Sequence, residues 1–349
     1  FNAKLMKITP RLALTKFAFI YMCLLITSCG TDSGKVDISA VNVSLEMKHF
    51  EQDLFSADTN RLDQSLVQLK NKYGNFFDLF AFRITSLGSS DSIVMQNKFR
   101  QFITDTNFIA VYKDIQKEFG DAEPLKAQLT EAFRYYHYYF PNKIIPEVIT
   151  LLSAFSFPIV ADSTHLGIGL DMYLGSGYRY YSTIEPPLPL YLRSKMTKEY
   201  VAIDALRGWL QSDYMVDESQ AKMLEMMVSQ GKIIYALDLL FPDSPDSLKI
   251  AYSSSQLNWC RENETKVWSF FIDQQLLFST DPNLLMKYVN DAPTTNGFPK
   301  ESPGNIGQFI GWGIVNAYMK NHSEISLSQL MEEKDLQKIF RESKYKPAK

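Results

Sequence analysis

VITLLSAFSFPIV (148–160) and LGIGLDMYL (166–174) decide the fold of this chain. Both are short apolar runs with β-branched and aromatic side chains, bounded by turn formers, and they predict buried strands. Around them the period is mostly helical. Upstream, VDISAVNVSLEMKHF (36–50) alternates through Val36, Ile38, Val41, Val43 and Leu45, the pattern of a half-buried strand. RLDQSLVQLKNKYG (61–74), SIVMQNKFRQFI (92–103), IAVYKDIQKEFG (109–120) and EPLKAQLTEAFRYYHYYF (123–140) then have helical length and period, several closed by Gly. Downstream, the proline-rich IEPPLPLYL (184–192) leads to helical blocks near 197–213, 219–241 and 256–290. PTTNGFPKESPG (293–304) is a loop, and 306–321 and 326–342 are further helices. The expected fold is α+β and helix-dominated, with a small sheet. It forms one domain over 36–349, made of an N-terminal part (36–147) and a C-terminal part (148–349).

The N-terminus has the grammar of an export signal. Lys4, Lys7, Arg11 and Lys16 precede any acid, and FAFIYMCLLIT (17–27) follows. That run is well short of the roughly 20 residues a helix needs to span hydrocarbon. Ile26-Thr27-Ser28-Cys29 resembles a lipobox. This implies removal of 1–28 as a signal peptide and lipidation of Cys29, with 29–35 as a small, polar tether. Two or more acyl chains anchor stably where one holds only marginally. Gly30 is not an inner-membrane retention Asp, and no acidic export tag follows Cys29. The expected location is the outer membrane, facing the periplasm.

Of three cysteines, Cys23 leaves with the signal and Cys29 carries lipid, so Cys260 alone remains and internal disulfides are excluded. With 46% hydrophobic and 13% aromatic residues, the chain folds around a core of its own. Losing four basic residues takes the net charge from −3 to −7, which argues against a nucleic-acid partner.

Enzyme motifs are missing. His49, His137, His165 and His322 are too scattered for H-E-x-x-H, and no G-x-S-x-G elbow or P-loop occurs. We therefore expect no catalytic residue, no metal and no cofactor. GNIGQFIGWG (304–313) lacks a phosphate loop's Lys and Ser/Thr, and its Gly307, Gly311 and Gly313 point to a close helix–helix contact. His165 is expected in a turn, and the aromatics from Tyr135 to Phe140 in core and rim. Two residues stand out as candidates for a cleft. Asp171 lies within an apolar run, where an acid must be paired or exposed, and a hydrogen-bonded structural role is the first expectation. Gln230 interrupts the stripe Met223, Met227, Ile234, Leu237 and Phe241, beside a helix-interior Gly231, and suggests a polar pocket.

GIGLDMYLG (167–175), Y-x-x-x-x-P-P-L-P-x-Y-L (181–192), MMVSQGKIIYALDLLFP (226–242) and SPGNIGQFIGWGIVNAYMK (302–320) together resemble the gliding motility lipoprotein GldB family of Bacteroidetes. The resemblance implies an envelope lipoprotein needed for gliding and for the associated type IX secretion machinery, without known catalysis. More distantly, the same segments resemble zincin-type metallopeptidases. That implies a zincin-like arrangement of strand and helices, with 166–174 lying against a peptide, H-E-x-x-H near 198–211 and a third ligand near Gln230. Here YVAIDALRGWLQ (200–211) holds no histidine and Gln230 is neutral, so the implied site is degenerate and survives as a relict cleft around Asp171 and Gln230. Two alternatives stand beside this reading. One is a divergent metallopeptidase using Glu199, Asp204 or other non-standard ligands, the other a peptide- or glycan-binding lipoprotein.

Overall fold

The computed structural model describes residues 35–88, 93–216 and 221–347. The expected signal peptide and Cys29 lie outside the described residues. The chain divides between Asp37 and Ile38, and all the described helices and strands belong to the unit Ile38–Lys349. Among the described residues no helix is long and apolar enough to cross a membrane.

The buried centre of the sheet grows from the two deciding runs. β-branched Val148, Ile149 and Thr150 lie in strand β2 (Glu147–Leu151), and β4 is His165–Gly169. They pair in parallel, Ile149 opposite Gly167. Strand β1 (Met47–His49) joins the outer side of β2, also in parallel. Strand β3 (Ile159–Ala161) runs antiparallel on the free side of β4, so the order is β1-β2-β4-β3. Gly167 is needed where the sheet meets its helical cover, because a Cβ there would come within 2.9 Å of the Phe76 ring.

Helices supply the rest. Helix α1 (Phe50–Phe55), α2 (Leu62–Tyr73), α3 (Asn75–Leu79, continued as a π turn over Phe80–Ile84), α4 (Ile93–Thr104), α5 (Thr106–Phe119) and α6 (Glu123–Tyr139) separate β1 from β2. Phe50, Tyr73, Phe76, Phe77, Phe80 and Phe99 form one dry aromatic core there, with Phe50 and Tyr73 edge-to-face at 4.9 Å. After the sheet come α7 (Leu190–Arg193), α8 (Lys198–Tyr214), α9 (Met223–Leu240), α10 (Asp246–Lys249), α11 (Ser254–Asp273), α12 (Pro282–Val289), α13 (Ile306–Asn321), α14 (Leu327–Glu332) and α15 (Leu336–Ser343). Helix α9 is buried on nearly every side, so it is the central helix of this half rather than the one-faced helix its stripe predicts. Its backbone touches that of α13. A Cβ on Gly231 would strike the Gly311 carbonyl, and one on Gly311 would strike the carbonyl of Met227.

The structure corrects several boundaries. The alternation at 36–45 makes no strand. The carbonyls of Ile38 and Val41 accept from Arg134 at 2.6 and 2.8 Å, and Val41 N–H turns back to Ile38, so these groups are unavailable to a ladder. The run 148–160 is two strands split by a turn with left-handed Ala154 and Phe155. The run 166–174 is a strand only to Gly169, then a 3₁₀ turn over Leu170–Tyr173. The block 256–290 breaks because Asp281 caps a new helix begun by Pro282, with its carboxylate on Asn283 N–H at 2.9 Å. In the same way Asp335 starts α15 and divides 326–342. The helix at 50–55 is not anticipated by the pattern, and that at 75–84 lies within the helical stretch but between the expected segments.

Candidate functional site

A cleft of about 840 Å³ opens where β3, α8, α9 and the start of α13 meet. Helix α8 shapes one wall. Asp204, Arg207, Gly208 and Gln211 fall at i, i+3, i+4 and i+7, which places them on one face, and all four line the cleft. Gly208 lets this face come close beneath β3, since a Cβ there would lie 2.5 Å from Ile159 Cγ2. This polar stripe is legible as a spacing in YVAIDALRGWLQ, although of its members only Asp204 stands out there, as a metal-ligand alternative.

The charged groups of this wall are already engaged with the protein. Tyr173 O–H donates to Asp204 Oδ2 at 3.1 Å, and Arg207 Nε lies 3.9 Å from Asp204 Oδ1. Arg207 Nη2 also donates to the Lys249 carbonyl. Desolvation pushes the Asp204 carboxyl up to about 6, against the pull of Arg207 and the Tyr173 hydrogen bond. At the rim Lys195 pairs with Asp291 at 3.3 Å. That pair also borders a second depression of about 740 Å³ that contains Trp259 and Tyr191.

The β3 edge forms another wall. In the antiparallel pair with β4, Gly169 N–H donates to Pro158 O at 2.9 Å and Asp162 N–H to His165 O at 3.0 Å. Alternation then makes Val160 and Gly167 a hydrogen-bonded pair and leaves Ile159 and Ala161 at non-bonded positions. The N–H and C=O groups of Ile159 and Ala161 therefore point away from β4. Among the described residues no strand lies beyond them, and both residues line the cleft.

The sequence-derived candidates fall in different places. Gln230 lines the cleft, with its Nε2 donating to Val289 O at 2.9 Å. Asp171 does not line it. It is fully buried behind the β3 wall, where it holds a strained turn. Its Oδ1 accepts from Ser153 N–H at 2.8 Å, its Oδ2 from Phe155 N–H at 2.6 Å, and both from the Ser153 hydroxyl at 3.1 Å. Burial pushes this carboxyl up to about 6, although the hydrogen bonds from Ser153 and Phe155 pull it down. Ala154 and Phe155, both left-handed at φ 56° and 59°, cost about 1–3 kcal/mol each, so the turn needs such an anchor. The strain sets Phe155 at the mouth of the cleft, 5.8 Å from the Tyr181 ring and 6.2 Å from that of Tyr180. Tyr181 O–H in turn donates to the Asp171 carbonyl at 2.8 Å.

Strand β4, expected against a peptide, lies inside the sheet, and β3 is the edge. His165, expected in a turn, is instead the first residue of β4, where Asp162 in the β3–β4 turn holds its ring at 2.9 Å. Glu199 lines a separate depression with Tyr135 and Leu248, so it does not share a site with Asp204. Among the described residues no three His, Cys, Asp or Glu side chains converge as a metal site would require.

No curated protein and no solved structure matches the chain. A match to a protein family does span it, over residues 31–347, and therefore takes in every wall of the cleft. All four stretches that carried the family resemblance lie inside those limits, and the chain belongs to the family of the gliding motility protein GldB.

Proposed function

We propose that this chain is a non-enzymatic lipoprotein of the cell envelope, anchored through Cys29 to the outer membrane at its periplasmic face. In this reading it serves gliding and the associated protein secretion by binding other envelope proteins. The cleft is its contact site: an extended segment of a partner lies along β3. The observation that carries the reading is the pair of outward-facing backbone positions, Ile159 and Ala161, on a free strand edge that borders a cleft. Unpaired edge groups are a template for strand addition, in which main-chain hydrogen bonds supply affinity and side-chain pockets supply specificity.

Two further points support it. The family is one of gliding motility proteins. The helix that would bind zinc in a zincin-like scaffold carries Asp204, Arg207 and Gln211 toward the cleft, a set without the imidazoles that hold zinc and lower the pKa of its water.

The test places a charge on the rim. Leu192 lines the cleft from α7 and is only half-buried, so Leu192→Glu leaves the core alone. Cells carrying it should make normal amounts of a normally melting protein and fail to spread on agar. Normal spreading, or stoichiometric zinc retained by the purified wild-type chain after dialysis, would contradict the reading.

A further inference from the structure

The second depression, of about 740 Å³, shares the Lys195–Asp291 pair with the cleft and has Trp259 in its wall. That wall is the first half of α11. Ser255, Asn258, Trp259 and Glu262 fall at i, i+3, i+4 and i+7, so they share one face of the helix, and all four line the depression. Another wall is the loop between α12 and α13. Gly304 lets this loop fold back on itself, since a Cβ there would strike the Ala292 backbone. The buried Thr295 hydroxyl pins the fold by donating to Pro303 O at 2.7 Å. Phe298 of the same loop stands edge-to-face with the half-buried Trp259 at 6.3 Å and is backed by Phe270 at 4.7 Å. Walls built in advance need little ordering when a ligand binds.

The polar groups on these walls are available. Asn258, Glu262, Lys300 and Glu301 line the depression, all four are exposed, and their side chains make no hydrogen bond or ion pair among the described residues. Lys195 and Asp291 match each other at 3.3 Å, and Lys300 shares the depression with Glu262 and Glu301, so an ion of either sign meets a like charge. An amide, carboxylates and an ammonium together offer both donors and acceptors. A phosphate only accepts and an ammonium only donates, so each would leave part of the set unused. Hydroxyls do both. A pyranose carries hydroxyls around its rim and C–H groups on its faces, and such a face packs against an indole as apolar surface does. The volume falls within the roughly 300–1,000 Å³ of small-ligand sites.

We propose that the depression around Trp259 is a binding site for a neutral saccharide. A sugar ring lies against the indole, and its hydroxyls bond to Asn258, Glu262 and the turn at Lys300 and Glu301. The site borders the cleft at Lys195 and Asp291 but uses none of the β3 edge, so it stands or falls separately from strand addition.

The test is calorimetric titration of the lipidated full chain, in a detergent without sugar head groups. The probes are the neutral tetrasaccharides cellotetraose, maltotetraose, mannotetraose and chitotetraose. Three comparisons accompany them: tetragalacturonate as an anion, the glucosamine tetramer as a cation, and an N-acetylated, amidated Gly-Ser octapeptide as a hydroxyl-bearing peptide. At least one neutral sugar should bind roughly tenfold tighter than every comparison. Trp259→Ala should weaken that sugar roughly tenfold, the factor that ~1.4 kcal/mol represents. Because this ring is partly packed, two exposed positions separate binding from folding. Asn258→Ala and Glu262→Ala should each weaken the sugar about threefold, the loss of one hydrogen bond, at an unchanged melting temperature. Equal binding of all probes, tightest binding of any comparison, or a sugar whose affinity survives Asn258→Ala and Glu262→Ala combined would overturn the site.

Discussion

At the scale of single residues, Asp171 sets the shape of the cleft without entering it. Two backbone N–H groups and a hydroxyl converge on its carboxylate, and the turn they hold contains two consecutive left-handed residues that are not glycine. Asp171→Ala leaves the Ser153 and Phe155 amides facing a cavity. We expect it to cost about 2–5 kcal/mol, the sum of two unmet donors and a released turn, read from chemical unfolding of the purified chain. A loss below about 0.5 kcal/mol, the range of ordinary surface changes, would mean that the turn holds itself. The residue itself was legible, because an acid in an apolar run demands a partner. Its partners were not, since Ser153 and Phe155 lie 18 and 16 residues away and no glycine marks the left-handed turn between them.

At the scale of elements, the decisive contact is the crossing of α9 and α13. Gly231 and Gly311 let the two backbones touch, with Gly307 admitting Met227 and Val289 beside them. Glycine inside a helix costs ~1 kcal/mol relative to alanine, and close packing offsets that here. Gly311→Ala should lower stability by ~1–3 kcal/mol or more, because its methyl meets a carbonyl that has nowhere to go. Gly177, with open space around its would-be Cβ, provides the control, and Gly177→Ala should change the melting temperature little. Equal melting of the two variants would mean that the helices part without cost. The spacing of Gly307 and Gly311, with Gly231 beside a polar residue, announced this contact in the sequence. Strand limits were less legible. Val36–Leu45 alternates as a strand would, yet Arg134 takes its carbonyls from a helix nearly a hundred residues away, and periodicity holds no record of such a competitor.

At the scale of the whole molecule, the α+β, helix-dominated class and the family were within reach of the sequence, because both rest on contiguous stretches. The cleft was not. Its walls come from Phe155, Leu192, Asp204, Gln230, Asp291 and Asn305, which only the fold brings together, and of these Gln230 and Asp204 alone stand out in the sequence. The reading of the cleft as a seat for an extended segment depends on whether the outward groups of β3 are used. Ala161→Pro removes one outward N–H and spares the ladder, since that N–H makes no bond to β4 and proline is tolerated on an edge strand. Val160→Pro removes an inward bond and serves as the destabilised comparison. The measurement is colony spreading of cells carrying Ala161→Pro, with protein abundance and melting temperature recorded alongside. Strand addition at β3 predicts a normally abundant, normally melting protein in cells that do not spread; spreading at the wild-type rate would contradict it.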